Sequence, residues 1–423
     1  MEAQCISILD TMVPCLVRGG VDPGVAQFLS ILLGVVAVAS LPLVLVIIFI
    51  WIERKIAARV QDRLGPNRVG PFGILQNVAD AVKLIIKEDI TPAGADRVIY
   101  NAAPIVAMLS VILIWGVVPF SPVHIGADLD IGVLYVVAIG SVGTLAIMMA
   151  GWSSNNKYAL LGAFRVVAAL VSYEVPMIVS LLIPLMLAGT MSMQGIVLAQ
   201  QGMWYIVLAP IAALIFYISN LAETGRAPFD LIEAESELVA GYNIEYSGMK
   251  FGLFMASEFL HSFTVNLLFT VIFLGGWSGP FVAQLPALGF VWLMAKTAIP
   301  YLFTLILRAT VPRVRIDQMM AFNWKFLVPV SIVNALVTAL VLKVVQQVGL
   351  APAPGMETDF VSNLPQAAIL LGANVLIVIG VLTILRDQGR RARLADERAR
   401  MAPALESSEN AIVPVAPAST VAH

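Results

Sequence analysis

FLSILLGVVAVASLPLVLVIIFIWI, residues 28–52, is a run of twenty-five residues without a single charge. About 20 apolar residues in a helix cross the hydrocarbon of a bilayer, so this run spans with length to spare. It stops at Glu53, Arg54 and Lys55, which open the most basic segment of the chain: Arg54, Lys55, Arg59, Arg63, Arg68, Lys83, Lys87 and Arg97. Comparable apolar runs recur near 98–119, 132–151, 163–188, 203–222, 251–276, 285–308, 326–348 and 366–385. Composition agrees: the 423 residues are 59% hydrophobic and 12% charged, where a soluble domain carries about 25% charge. Mean hydropathy is +0.90. A backbone in lipid must satisfy its own polar groups, which helices do. The expected fold is an all-α, polytopic membrane helix bundle of about nine transmembrane helices.

Lysine and arginine sort the connections. Those after odd-numbered spans hold the basic run above, then Lys157, then Arg226 with Lys250, then Arg313, Arg315 and Lys325. Those after even-numbered spans, about 120–131, 189–202, 277–284 and 349–365, hold none. Positive charge stays inside, which puts residues 1–27 outside as a short lead, 28–385 in the membrane, and 386–423 in the cytoplasm as a tail. RDQGRRARLADERARM, residues 386–401, is charged enough to extend the last helix; from Pro403 on, Ala, Pro, Ser and Val follow no period, so the tail reads as largely disordered. Within the basic run, LGPNRVGPFG at 64–73 is dense in turn residues. Behind it Ile74, Leu75, Val78, Val82, Ile85 and Ile86 recur at helical spacing opposite Gln76, Asp80, Lys83 and Lys87. That is an amphipathic helix in the interface, too short and polar to span.

Chemistry concentrates in AETGRAPFDLIEAESELVAGYNIEYSG, residues 222–248, which carries Glu223, Asp230, Glu233, Glu235, Glu237 and Glu245 against Arg226 alone. Carboxylates near lipid are costly unless protonated, paired or hydrated. If 233–237 is helical, Glu233 and Glu237 share a face at i, i+4, and so close a pair drives at least one pKa upward. The stretch reads as a proton-handling site, against the plainer reading of an acidic, solvated loop. Inside the spans lie Glu174, Glu258, His261 and Lys296. Such groups face the bundle interior and mark function; the static alternative is an ion pair of Lys296 with Glu174 or Glu258. Pro176 and Pro184, beside Glu174, suggest broken backbone around a polar cavity. Two cysteines, Cys5 and Cys15, are too few for four-cysteine iron–sulfur ligation and read as incidental thiols or one disulfide. No nicotinamide, flavin or metal motif is present, and nothing points to nucleic acid.

ERKIAARVQDRLGPNRVG at 53–70, GWSSNNKY at 151–158, Arg165, SYE at 172–174, the whole of 222–248, and RATVPRVRIDQ at 308–318 carry a likeness to a known family. Together they resemble the H subunit of proton-pumping NADH–quinone oxidoreductases (respiratory complex I), a family that includes mitochondrial NADH dehydrogenase subunit 1. The resemblance covers roughly 28–385, with Asn77, Ala169, Phe259 and Ile316 departing from the residues usual there. It implies a subunit of the bacterial inner membrane with quinone as substrate and no covalently bound cofactor. Flavin and iron–sulfur clusters would sit in partner subunits. Those partners would be peripheral quinone-site and iron–sulfur subunits and antiporter-like membrane subunits, with lipid around them. By the same resemblance Glu174, Glu223, Asp230, Glu233, Glu235 and Glu237 would line a proton passage, and Arg165 would be their buried counter-cation. Arg54, Lys55, Arg59, Arg63, Arg226 and Phe229 would line the quinone entrance or the interface beside it. Two other readings stand beside this one. The first is the homologous subunit of a membrane-bound hydrogenase, which shares these motifs; the second is a stand-alone proton-coupled carrier.

Overall fold

A computed structural model describes residues 22–230, 241–350 and 360–410. Glu233, Glu235, Glu237, Cys5 and Cys15 lie outside the described residues. Among those described, every extended element is helical; Pro119 and Ile125 form one isolated bridge. Among the described residues eight helices are long and apolar enough to cross a membrane. They are α1 (Pro23–Val60), α3 (Arg97–Trp115), α4 (Gly132–Ser153), α5 (Lys157–Ala188), α9 (Gly248–Phe273), α10 (Ala287–Thr310), α11 (Ile316–Val348) and α12, whose apolar part is Phe360–Asp387. Between them lie α2 (Gln76–Ile86), α6 (Met193–Ala199), α7 (Tyr205–Leu208) and α8 (Pro210–Glu223).

The expected fifth span, 203–222, is therefore not one helix. Pro210 has no N–H to donate and disfavours helical geometry in the residue before it. Ala209 accordingly sits at φ −137°, ψ 63°, and the chain divides into a single turn and the 14-residue α8. Pro176 acts differently, for α5 runs unbroken past it. Its missing N–H leaves the Ser172 carbonyl free, and Asn323 donates its side-chain amide there at 2.7 Å. Asn323 opens the π-helical turn Asn323–Leu327 inside α11. Likewise Pro104 leaves the Tyr100 carbonyl to the Tyr246 hydroxyl, 3.2 Å away.

The first helix overruns its apolar stretch by two turns, so Glu53, Arg54, Lys55 and Arg59 stand on α1 rather than in a loop. The amphipathic helix is α2. It is tied to α1 by an Arg54–Asp80 ion pair at 2.5 Å and by Asn77, which donates to the Ile47 carbonyl at 2.6 Å. Burial pushes the Asp80 carboxyl up, but the hydrogen bonds from Arg54 and Gln76 and the nearby cations outweigh it and hold it below the usual range.

Central to the bundle is α9, packed against α1, α2, α3, α8 and α10. Phe263 stacks on Phe49 with ring centroids 3.8 Å apart, and Trp115 donates to Thr264 at 2.8 Å. Val35, Val44 and Leu336 stay exposed, as lipid permits. A second buried cluster joins α3, α4 and α5 to residues 241–247: Tyr100 and Tyr246 stack at 4.1 Å, and Phe254 meets Tyr246 edge-on. Burial lifts the Tyr246 phenol to about 12, leaving it neutral. Asn156 donates to Glu245 at 2.7 Å. The far end of the acidic stretch is thereby fastened to the bundle.

Close approach of α4 and α5 depends on Gly151, where an added Cβ would meet Ala163 Cβ at 2.3 Å. Gly151→Ala is expected to destabilise the purified protein by about 1–3 kcal/mol through overpacking. Thermal unfolding in detergent should show the loss; an unchanged midpoint would mean the two helices separate at no cost.

A second compact unit begins at Gly372 within α12 (Phe360–Asn410). The helix continues through the charged residues after Arg386 as far as Asn410.

Candidate functional site

Helical spacing puts Glu53, Ala57 and Gln61 on one side of the end of α1. They face α9 and α10 across a cavity of about 530 Å³ that is also lined by Arg54, Arg63, Pro66, Phe259, Leu305 and Arg308. This is the basic end of the bundle. The cavity has guanidinium groups at its rim and aromatic and aliphatic carbon on its wall. Glu53, 6% exposed, accepts hydrogen bonds from both Arg226 and Arg308. Arg226 is 1% exposed, and its Nε lies 3.7 Å from Glu258 Oε1. The Phe259 ring covers its guanidinium at 4.8 Å. Two carboxylates and two guanidiniums thus balance one another where an unpaired charge would cost several kcal/mol.

From this cluster the polar groups continue inward. Glu258 lines a second cavity of about 80 Å³ with Glu223, His261, Ser110, Thr144 and Tyr242. His261 Nε2 is 3.6 Å from Glu223 Oε1. Beyond them a third cavity, about 30 Å³, is lined by Glu223, His261, Asn220 and Glu174. Ser141 donates to Glu174 at 3.4 Å. A water needs roughly 10–15 Å³ of such volume and two to four polar partners, so both cavities admit water. The order from the large cavity inward is Glu53, Arg226, Glu258, His261, Glu223, Glu174. Carboxyl, imidazole and water exchange protons; guanidiniums hold charge in place.

Residues singled out from sequence do not all meet in one place. Glu174 and Glu223 are brought to one cavity, and Arg54 and Arg63 to another. Arg226 lies behind the large cavity, bound to Glu53 on its wall. Phe229, 8% exposed, packs its ring 5.6 Å from Tyr173. Asp230 and Arg165 are half-buried; Arg165 precedes Glu174 on α5 by about 13 Å of helix rise. Arg59 is exposed, and Lys55 rests over Trp51 at 5.8 Å. Lys296 pairs with neither Glu174 nor Glu258. Its Nζ donates to the Leu274 and Ser278 carbonyls at 2.9 and 2.7 Å and lies over Trp204 at 4.6 Å. It caps the carbonyl end of α9, where a cation complements the helix dipole. Helical side chains lean toward the helix N-terminus, which is how the Lys296 ammonium reaches those carbonyls.

Three residues of the string, Glu53, Glu258 and His261, and the Arg308 that binds Glu53, were not among the expected passage or entrance residues. The signal for Glu258 and His261 was their place within an apolar span. For Glu53 and Arg308 the sequence shows only span ends. Among the described residues no group of three or more His, Cys, Asp or Glu is arranged to hold a metal ion.

A family model described as NADH dehydrogenase matches residues 33–339. A protein of Dehalococcoides mccartyi, named as the H subunit of NADH-quinone oxidoreductase, is 44% identical over 84% of this chain and 93% of its own. One of Geobacter metallireducens, named as the first of that organism's H subunits, is 46% identical over 69% of this chain and 90% of its own. One of Geobacillus kaustophilus, bearing the same name as the first, is 46% identical over 68% of this chain and 87% of its own.

Proposed function

The chain belongs to the NADH dehydrogenase family, and from that premise we propose that it couples quinone reduction to proton movement. It is a multi-pass membrane subunit of an NADH–quinone oxidoreductase. The large cavity at the basic end is its share of the quinone chamber, closed by peripheral subunits that carry the iron–sulfur chain. The string from Glu53 to Glu174 is the passage by which the redox event reaches antiporter-like membrane subunits. The observation that carries this reading is continuity: titratable or charged groups follow one another from a 530 Å³ cavity through two water-sized cavities into the bundle. Glu233, Glu235, Glu237 and Asp230 extend the acidic side of the passage, with Arg165 as a counter-cation. With α7 and α8 together making a ninth crossing beside the eight long helices, the basic connections set the membrane orientation, with the N-terminus outside and the C-terminus in the cytoplasm of a bacterial inner membrane. A stand-alone carrier draws no support from relatives named as subunits.

Arg63 lines the large cavity but belongs to no buried ion pair among the described residues. In the assembled complex, Arg63→Ala is expected to raise the KM for quinone or lower turnover about tenfold, the size of one lost charge-assisted contact. NADH oxidation by an artificial acceptor should persist. Normal quinone kinetics in a fully assembled Arg63→Ala complex would remove this cavity from the quinone path.

A further inference from the structure

We propose that His261 is the proton-carrying junction between the Glu258 side and the Glu174 side of the string, an inference that rests on the proton-passage reading above. The two inner cavities share four wall residues: Ile114, Gly140, Glu223 and His261. Ile114 cannot carry a proton and Gly140 has no side chain, so the proton-carrying groups that both cavities share are Glu223 and His261. Gly140 leaves the space beside them open; a Cβ there would stand 3.9 Å from Glu223 Oε1.

Imidazole suits this position because it can accept a proton at one nitrogen while releasing another from the second. His261 follows Glu258 by three residues on α9, so the two side chains share a helix face and one cavity. Its Nε2 is 3.6 Å from Glu223 Oε1, a gap that a small rotation closes to hydrogen-bond length. A Glu258 carboxylate that has taken up a proton during turnover gives it, directly or through a water of the 80 Å³ cavity, to neutral His261, leaving an imidazolium and the carboxylate that faces Arg226. The imidazolium releases the Nε2 proton to the Glu223 carboxylate, so that His261 returns to neutral and Glu223 becomes the protonated acid. From Glu223 the 30 Å³ cavity leads to Glu174. The acidic groups facing His261 are thus Glu258 from its own helix, Glu223 from α8 and Glu174 from α5; Tyr242 adds a phenol, and α3 and α4 contribute Ser110 and Thr144.

The competing role is static, His261 merely holding Glu223 in place. A glutamine preserves size and hydrogen bonding but cannot shuttle a proton. In the whole complex reconstituted into vesicles, H261Q is expected to assemble and to oxidise NADH with an artificial acceptor normally. Coupled quinone turnover should fall on the order of tenfold or more, the range of a lost acid–base group. The solvent deuterium isotope effect on that turnover should rise, because proton transfer becomes limiting. Normal turnover, or a fall with an unchanged isotope effect, overturns the proposal; H261N gives the same comparison if the longer amide does not assemble. E223Q measured alongside separates the two levels. Full pumping by E223Q defeats the passage reading itself, whereas loss in E223Q with a normal H261Q defeats only the role of His261.

Discussion

Arg226→Met is expected to lower the stability of the isolated subunit by about 3–5 kcal/mol, the cost of removing one member of the buried Arg226–Glu53 ion pair. Arg226 is the one cation that touches both Glu53 and Glu258 among the contacts of the described residues. Methionine fills much of its volume beneath Phe259 and restores none of its charge. Arg308 would still hold Glu53, but Glu258 would lose its guanidinium. The complex should assemble poorly, and thermal unfolding of the purified subunit should report the loss directly. A second substitution separates charge from shape: Arg226→Met combined with Glu258→Gln should recover part of the stability, because the amide needs no counter-charge. If the double variant is as unstable as the sum of its parts, the pair does not interact.

The second large effect is on coupling. Glu174→Gln and Glu223→Gln keep side-chain shape and hydrogen bonding at either end of the 30 Å³ cavity but remove the proton-binding group. Each complex should assemble, since Glu223 faces His261 and Glu174 faces Ser141, and an amide can replace the carboxylate at both contacts. Each should lose most proton pumping, with quinone turnover falling about tenfold or more as the coupled cycle stalls. Electron transfer from NADH to an artificial acceptor should not change. Pumping at the normal proton-to-electron ratio in either variant would contradict a passage through these residues.

What the sequence made visible follows from where the physics is local. A lipid-spanning helix must be apolar along its length, so 28–52 and its successors could be read one at a time. Charge in the connections is equally local, and the amphipathic α2 shows its period within eleven residues. The break at Pro210 was also written in the sequence, as a proline inside a run otherwise apolar enough to read as continuous. Tertiary facts were different. Glu53 looks like the first charge after a span; it is buried only because α9 and α10 cross the end of α1 and Arg226 and Arg308 reach it. Lys296 lies within an apolar span of the sequence, but a four-carbon side chain carries its charge to the carbonyls of Leu274 and Ser278. Phe229 packs its ring on Tyr173, a contact between distant parts of the chain that no one-dimensional pattern shows. The cavities themselves are gaps between helices, set by residues such as Gly140 whose contribution is the side chain they lack.

If the string is a proton passage, quinone reduction must change the protonation of its buried carboxyls. Infrared difference spectroscopy of the assembled complex, recorded on quinone reduction in ordinary and heavy water, measures that change. A deuterium-sensitive carboxyl band is expected in the native complex, and it should be missing or displaced in Glu174→Gln and Glu223→Gln. A carboxyl region identical in native and both variant complexes would contradict the passage.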